Sequence, residues 1–187
     1  MADADVRAAG PGDAAEIARI QLTTWRSAYA ELLPAEVLSA LDESDTEQQW
    51  RQTLSGGPAT VWLATEGPWP VGFCAAGPAP EEESRAADGT AAADADTVAY
   101  VSTLLVEPRW GRRGHGGRLL GTAARDLAAR GSTRGITWVP EADSASTAFF
   151  RRVGWDPDGT VRTLEAGGRP LRELRLSGSL DLRFEHE

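Results

Sequence analysis

A chain of 187 residues, 41% of them hydrophobic, is long enough for one well-buried domain and short for two. Its formal net charge of −9 and pI near 4.8 exclude a general binder of nucleic acid or of an anionic membrane, since either needs a basic surface to neutralise phosphate. The single cysteine, Cys74, excludes an intrachain disulfide and a multi-cysteine zinc site, and two histidines, His115 and His186, argue against a histidine-based metal centre. No stretch is long and apolar enough to span a bilayer, and the opening Met-Ala-Asp-Ala-Asp lacks the basic region of a signal peptide. The expectation is a cytoplasmic protein with no metal, no nucleic acid and no membrane among its partners. All the basic side chains are arginine, which reflects genome composition as easily as function.

Elements follow in chain order. From Asp13, the residues Ala15, Ala18, Leu22, Trp25, Tyr29 and Leu32 recur at the spacing of an amphipathic helix, and Asp13 with Glu16 offers a capping box. Pro34 suits the first turn of a second helix through Leu41, and Ser44 with Glu47 opens a third that carries Trp50 and Leu54 to a stop at Gly56-Gly57. Residues 59–65 and 71–76 read as strands of an antiparallel hairpin around Gly67-Pro68. Between Pro78 and Asp96 the chain is almost all Ala, Glu, Asp, Gly and Pro, too poor in large apolar groups to offset ordering, so 78–96 is expected to be a mobile acidic loop. Residues 97–106 form the longest strand candidate and lead into a glycine and arginine loop, then a helix with a Leu120, Ala123, Leu127 stripe ending at Gly131. A strand at 135–139, a helix from Ser144 to Arg152 and a hairpin of 160–164 with 171–176 complete the series. The sum is a single α/β domain over 1–187, with a central mixed, mostly antiparallel twisted sheet flanked by helices and a short C-terminal tail.

The stretch Val106 to Leu120, V-E-P-R-W-G-R-R-G-H-G-G-R-L-L, carries the chemistry. N–H groups at a helix start lack intrahelical partners and sit at the positive end of the macrodipole, so several can converge on one phosphate. Gly111, Gly114, Gly116 and Gly117 let the backbone approach, and Arg112, Arg113 and Arg118 add charge. A nucleotide P-loop needs a lysine, and the chain has none. A dinucleotide fingerprint belongs near the first strand of repeated βαβ units, whereas this loop lies after a hairpin and deep in the chain.

The flanks select a third reading. Val-x-Pro, a glycine and arginine loop and Gly-His-Gly-Gly-x-Leu-Leu resemble the acetyl-coenzyme A loop of the GNAT superfamily of N-acetyltransferases. Downstream, Asp143-Ser-Ala-Ser-Thr-Ala-Phe-Phe-Arg-Arg-Val-Gly-Trp155 resembles that family's Asn-x-x-Ala-x-x-Phe-Tyr-x-x-x-Gly-Phe segment, and Trp25-Arg-Ser-Ala-Tyr29 with Leu32-Leu33-Pro34 is similar to bacterial members. The resemblance runs from Val6 to about Leu176. It implies that acetyl-CoA binds the backbone from Arg112 through Arg113, Gly114, His115, Gly116 and Gly117 to Arg118. It further implies that the pantetheine arm pairs with Leu104, Leu105 and Val106 like an added strand, and that Asp143, Ser146 and Phe149 flank the arm. Arg112 stands where the family commonly has a glycine. His115 and Phe149 each have a plain packing role as the alternative to a ligand contact.

Acetyl transfer needs a neutral amine, yet a lysine-like amine with a pKa of about 10.4 is protonated at neutral pH. The resemblance places a base glutamate at the position held here by Trp138, and an acid tyrosine at the position held by Phe150. Glu141, Tyr100 and Ser102 are the polar groups left as candidate proton carriers. Trp25 and Tyr29, with Trp62 and Trp155, are candidates for the acceptor side, each equally readable as core. The resulting expectation is an acetyl-CoA-dependent N-acetyltransferase without a metal, acting by direct attack of a small-molecule or peptide amine, with a homodimer allowed. The competing class is a CoA-binding sensor module that has lost turnover, supported by the missing glutamate and tyrosine.

Overall fold

The computed structural model describes residues 3–183; His186 and the end of the expected tail lie outside them. The strands are β1 (Ala4–Ala8), β2 (Thr60–Glu66), β3 (Trp69–Pro78), β4 (Val98–Val106), β5 (Arg134–Pro140), β6 (Asp156–Ala166) and β7 (Arg169–Ser179). The helices are α1 (Ala14–Ala28), α2 (Ala35–Ser39), α3 (Glu43–Leu54), α4 (Glu81–Ser84), α5 (His115–Ala129) and α6 (Ser144–Arg152). The strands form a seven-stranded sheet in the order β1-β2-β3-β4-β5-β7-β6. β4 and β5 are parallel, whereas the β1/β2, β2/β3, β5/β7 and β6/β7 pairs are antiparallel. This is the α/β class with a mixed sheet that the sequence leads one to expect.

By internal contacts the chain divides into two compact units, Met1–Ala76 with Thr103–Ala123, and Gly77–Ser102 with Ala124–Glu187. In the first, Ile17 and Ile20 of α1 pack with Val61 and Leu63 of β2, Phe73 and Ala75 of β3 and Leu105 of β4. Each fully buried isoleucine contributes about 1.5–3 kcal/mol. Trp50 of α3 meets the Phe73 ring edge-on at 5.0 Å, and its indole N–H donates to Gln21 at 2.6 Å. At Gly72 an added Cβ would stand 2.6 Å from the Leu105 carbonyl oxygen, so this close approach of β3 to β4 requires glycine.

Several local expectations are corrected here. Asp13 does not cap α1 through its side chain; it accepts from Gly10 N–H at 2.9 Å and from Arg7 at 2.7 and 2.8 Å. The buried stripe accordingly begins at Ala14 and Ile17, and Ala15 is exposed. The cap of α3 is Asp42, whose carboxylate accepts from Asp45 N–H at 2.9 Å, so that helix begins just ahead of Ser44. β1 is an additional strand: Ala4–Ala8 is short, has Val6 as its one large apolar residue, and is fixed by pairing with β2. Within the stretch read as a mobile loop, Glu81–Ser84 forms a helical turn.

The second unit is built around Trp155, which is fully buried. Gly135 of β5 and Gly178 of β7 are cross-strand partners, and the indole lies over both. A Cβ at Gly135 would come to 2.2 Å of the ring and one at Gly178 to 2.4 Å. The indole N–H donates to the Ser179 carbonyl at 2.9 Å, and Phe150 stacks on the ring at 5.6 Å.

Candidate active site

In the first unit, β4 ends at a turn moored by Glu107. This carboxylate is 2% exposed and is paired with Arg19 of α1 and with Arg109, the latter at 2.9 Å. The chain then turns through Gly111 to Gly114 into α5, and two residues adopt left-handed backbone, Arg112 at φ 61° and Gly114 at φ 81°. Alternation of left- and right-handed residues turns successive N–H groups toward one side, an anion-binding concavity. The helical ladder opens with Arg118 N–H donating to the Gly114 carbonyl at 3.0 Å, which leaves the preceding N–H groups to partners outside the helix.

The loop's side chains divide into two kinds. Arg112 is exposed, whereas Arg118 folds back to donate to the Arg113 carbonyl at 2.9 Å. Arg113 pairs with Glu66, the last residue of β2, at 2.8 Å and lies over the Trp110 ring at 4.9 Å. His115 is 1% exposed; its Nε2 meets the other Glu66 oxygen at 2.8 Å and its Nδ1 has no partner among the described residues. These contacts, His115 first and then Arg113, hold the Glu66 carboxyl below its ordinary range. Gly116 and Gly117 are half-buried on the first turn of α5.

On β4, Leu104 and Val106 are half-buried on one face, while Leu105 turns to the core of the first unit. The ladder of β4 with β5 has the rungs Val98↔Arg134, Ala99↔Gly135 and Tyr100↔Ile136. Beyond it the Thr137 hydroxyl donates to the Val101 carbonyl at 2.9 Å. Leu104, Leu105 and Val106 follow these rungs along β4.

The second unit holds a polar cluster that the sequence did not suggest. The Trp138 indole N–H donates to Glu83 of α4 at 2.6 Å. Arg162 of β6 lies over the Trp138 ring at 4.3 Å, reaches both Glu83 oxygens at 3.2 and 3.3 Å and donates through Nε to Glu173 of β7 at 2.6 Å. Arg175, 4% exposed, donates to the carbonyls of Glu83 at 2.8 Å and Arg85 at 2.6 Å, and to Asp158 at 2.7 Å. Tyr100 is hydrogen-bonded to Arg162; burial, and then the Glu83 charge, push its phenol pKa up. The only sequence signal for this cluster was the acidic run itself, in which Glu83 is indistinguishable from its neighbours.

The other expected residues take plainer places. Glu141 is exposed and pairs with Arg172 at 3.2 Å. Ser102 is exposed. Asp143 caps α6, accepting from Ser146 N–H at 3.0 Å and from its hydroxyl at 2.7 Å, so these two side chains serve each other. Phe149 is half-buried and meets Phe150 edge-on at 5.2 Å. Phe150 is 5% exposed, a core aromatic. Trp25 and Tyr29 are half-buried with rings 6.1 Å apart, whereas Trp62 and Trp155 are core and leave the list of candidate acceptor contacts. Among the described residues there is no group of three or more His, Cys, Asp or Glu that could hold a metal ion, and no helix is long and apolar enough to cross a membrane.

Comparison with known proteins agrees with this geometry. The model of the acetyltransferase (GNAT) family matches residues 21–155. The Mycobacterium tuberculosis protein named Probable N-acetyltransferase Rv2775 is 26% identical over 160 residues, covering 84% of this chain and 83% of its own. The Uncharacterized N-acetyltransferase YuaI of Bacillus subtilis is 28% identical over 173 residues, covering 91% and 90%. The fold is similar to that of PaiA N-acetyltransferase from Thermoplasma acidophilum, solved in complex with coenzyme A, at a TM-score of 0.69 and 13% identity over 95% of this chain and 99% of that one. With the loop, the strand before it and the match across 21–155 in agreement, the chain belongs to the GNAT family and is an acetyl-CoA-dependent acyltransferase.

Proposed function

We propose that this protein moves the acetyl group of acetyl-CoA to a primary amine of a small molecule or peptide by direct attack, in the cytoplasm. The observation that carries the reading is the left-handed backbone at Arg112 and Gly114 immediately ahead of α5, which presents donors without needing a particular side chain. The backbone from Arg113 to Gly117 would hold the pyrophosphate, with Arg112 and Arg118 supplying charge. Arg113 is shared with Glu66, so its first duty is to brace the loop. Leu104, Leu105 and Val106 would pair with the pantetheine arm, with Asp143, Ser146 and Phe149 beside it. Trp25 and Tyr29 would line the acceptor side.

Tyr100 supports the chemistry. Arginine has only donors, so in their hydrogen bond the phenol oxygen accepts from Arg162 and its own O–H remains available to donate. We offer this O–H as the group that gives a proton to the departing thiolate, the role for which Phe150 has no group. Ser102 and Glu141 keep no comparable support. Calorimetric titration of acetyl-CoA, with thiol release measured across polyamines, aminoglycosides, lysine and peptides with free N-termini, tests the reading. Saturable binding with amine-dependent release is expected; binding without release for any amine would leave a CoA-binding module instead.

A further inference from the structure

We propose that Trp69 is the stacking platform for the adenine of acetyl-CoA, a contact outside the glycine and arginine loop. The inference rests on the acetyl-CoA reading above, which gives the loop the pyrophosphate and gives Leu104, Leu105 and Val106 the pantetheine arm. The other ester arm of that pyrophosphate carries adenosine, and a purine ring needs a flat apolar face that the backbone of the loop cannot offer.

Trp69 is 60% exposed, the one exposed large apolar side chain of the first unit among the described residues. An isolated exposed aromatic is ordinary on a protein surface; place is what distinguishes this one. Glu66 and Trp69 are cross-strand partners at the tip of the β2/β3 hairpin, so their side chains leave the ribbon on the same face, about 5 Å apart at Cβ. From that face the Glu66 carboxylate reaches Arg113 and His115, each at 2.8 Å. The indole therefore stands beside the ion pair that fastens the loop, within the same unit. Trp110 is nearer to the loop in sequence, but its ring already carries Arg113 at 4.9 Å and Arg109 at 5.6 Å. Among the described residues no other ring and no guanidinium lies over Trp69.

The platform is fixed before a ligand arrives. Gly67 takes left-handed backbone at φ 58°, and its N–H donates to the Asp3 carbonyl at 2.9 Å. Pro68 and Pro70 bracket Trp69, and Arg19 donates to the Pro70 carbonyl at 3.3 Å. An indole has two side-chain torsions, so a tryptophan mounted this way loses little freedom when a base stacks on it. Stacking on an aromatic ring tolerates any base. Adenine is thus selected by its tether to the phosphates and not by hydrogen bonds to its edge.

Calorimetry on the full chain tests this with two ligands, acetyl-CoA and acetyl-phosphopantetheine, which lacks the adenosine. Trp69→Ala is expected to weaken acetyl-CoA binding about 5- to 100-fold while acetyl-phosphopantetheine stays within about twofold. Trp69→Phe, which keeps a ring, should recover most of the loss. In wild-type protein labelled with nitrogen-15, acetyl-CoA should move the Trp69 indole N–H resonance, assigned by its absence from the Trp69→Phe spectrum. Acetyl-CoA affinity within twofold of wild type in Trp69→Ala overturns the proposal, as does a Trp69 resonance that ignores acetyl-CoA. An equal loss for both ligands also overturns it, and makes Trp69 a brace for the hairpin. The resonance decides the matter on the wild type if the alanine variant fails to fold. Failure of the acetyl-CoA reading looks different: a wild type that binds neither ligand removes both, whereas binding without thiol release for any amine removes the transfer reading alone.

Discussion

The His115 Nε2 and the Glu66 carboxylate meet at 2.8 Å, joining the first residue of α5 to the last residue of β2. Arg113 closes on the same carboxylate at 2.8 Å. The loop read as the phosphate cradle is therefore tied at its side chains to the first hairpin, and its backbone is left to do the binding. Because Glu66 titrates below the usual carboxylate range, its contribution to stability is present above its unfolded value, about pH 4, and drains away as pH falls through the lower folded value. Asp13, held low by Arg7, and Asp94, held low by Arg134, act in the same direction. Urea unfolding midpoints should fall steeply between about pH 4.5 and pH 2.5, and Glu66→Gln should flatten part of that slope. An unchanged slope in the variant would show that Glu66 does not contribute.

Arg112 and Gly114 have the same backbone sign and predict opposite outcomes on substitution. A non-glycine residue in the left-handed region costs roughly 1–2 kcal/mol, against roughly 0.4–1 kcal/mol of extra unfolded-state entropy for glycine. Arg112→Gly should then raise stability by up to about 1.6 kcal/mol and weaken acetyl-CoA binding only severalfold through the lost charge. Gly114→Val places a β-branched residue at φ 81° and should abolish measurable binding. Thermal unfolding with calorimetry separates the two; equal small effects on binding would contradict a backbone-built cradle.

Restoring the tyrosine common in the family at position 150 should not create an acid. Phe150 is 5% exposed, stacked on Trp155 and edge-on to Phe149. A buried hydroxyl without a partner costs about 1–3 kcal/mol. Phe150→Tyr is expected to lose stability in that range with turnover unchanged or lower, measured by denaturant unfolding and initial rates. A clear rise in turnover would mean that the site accepts a donor from α6 after all.

Cys74 is fully buried on β3, and burial pushes its thiol pKa up to about 12. The native protein should resist a thiol-specific disulfide reagent for hours and react with one equivalent once unfolded. Fast native labelling would show that β3 opens locally.

The legible parts of this chain are those whose signals are local. The α6 boundaries follow from Asp143 as a cap, and the β2/β3 hairpin from its turn residues and alternation. The loop was legible because glycine spacing and arginines are themselves the binding device. Less legible were features fixed by distant partners. Asp13 reads as a helix cap until Arg7 and Gly10 compete for it. Glu83 reads as one solvated acid among several until Trp138, Arg162 and Arg175, all far along the chain, close around its turn. Composition in 78–96 speaks only to how few large apolar side chains the segment carries, and says nothing of a buried arginine arriving from β7.

Gly135, Gly178 and Trp155 together act as a gauge for strand alignment. The indole fits only where two residues without a Cβ stand opposite one another, and β5 and β7 offer that coincidence at one pairing. Sliding β7 by one residue would bring Ser177 or Ser179 beneath the ring and turn Glu173 and Arg175 to the opposite face. Misaligned pairings are thus penalised at the ring, and the strand that carries the clamp on α4 can close in one register.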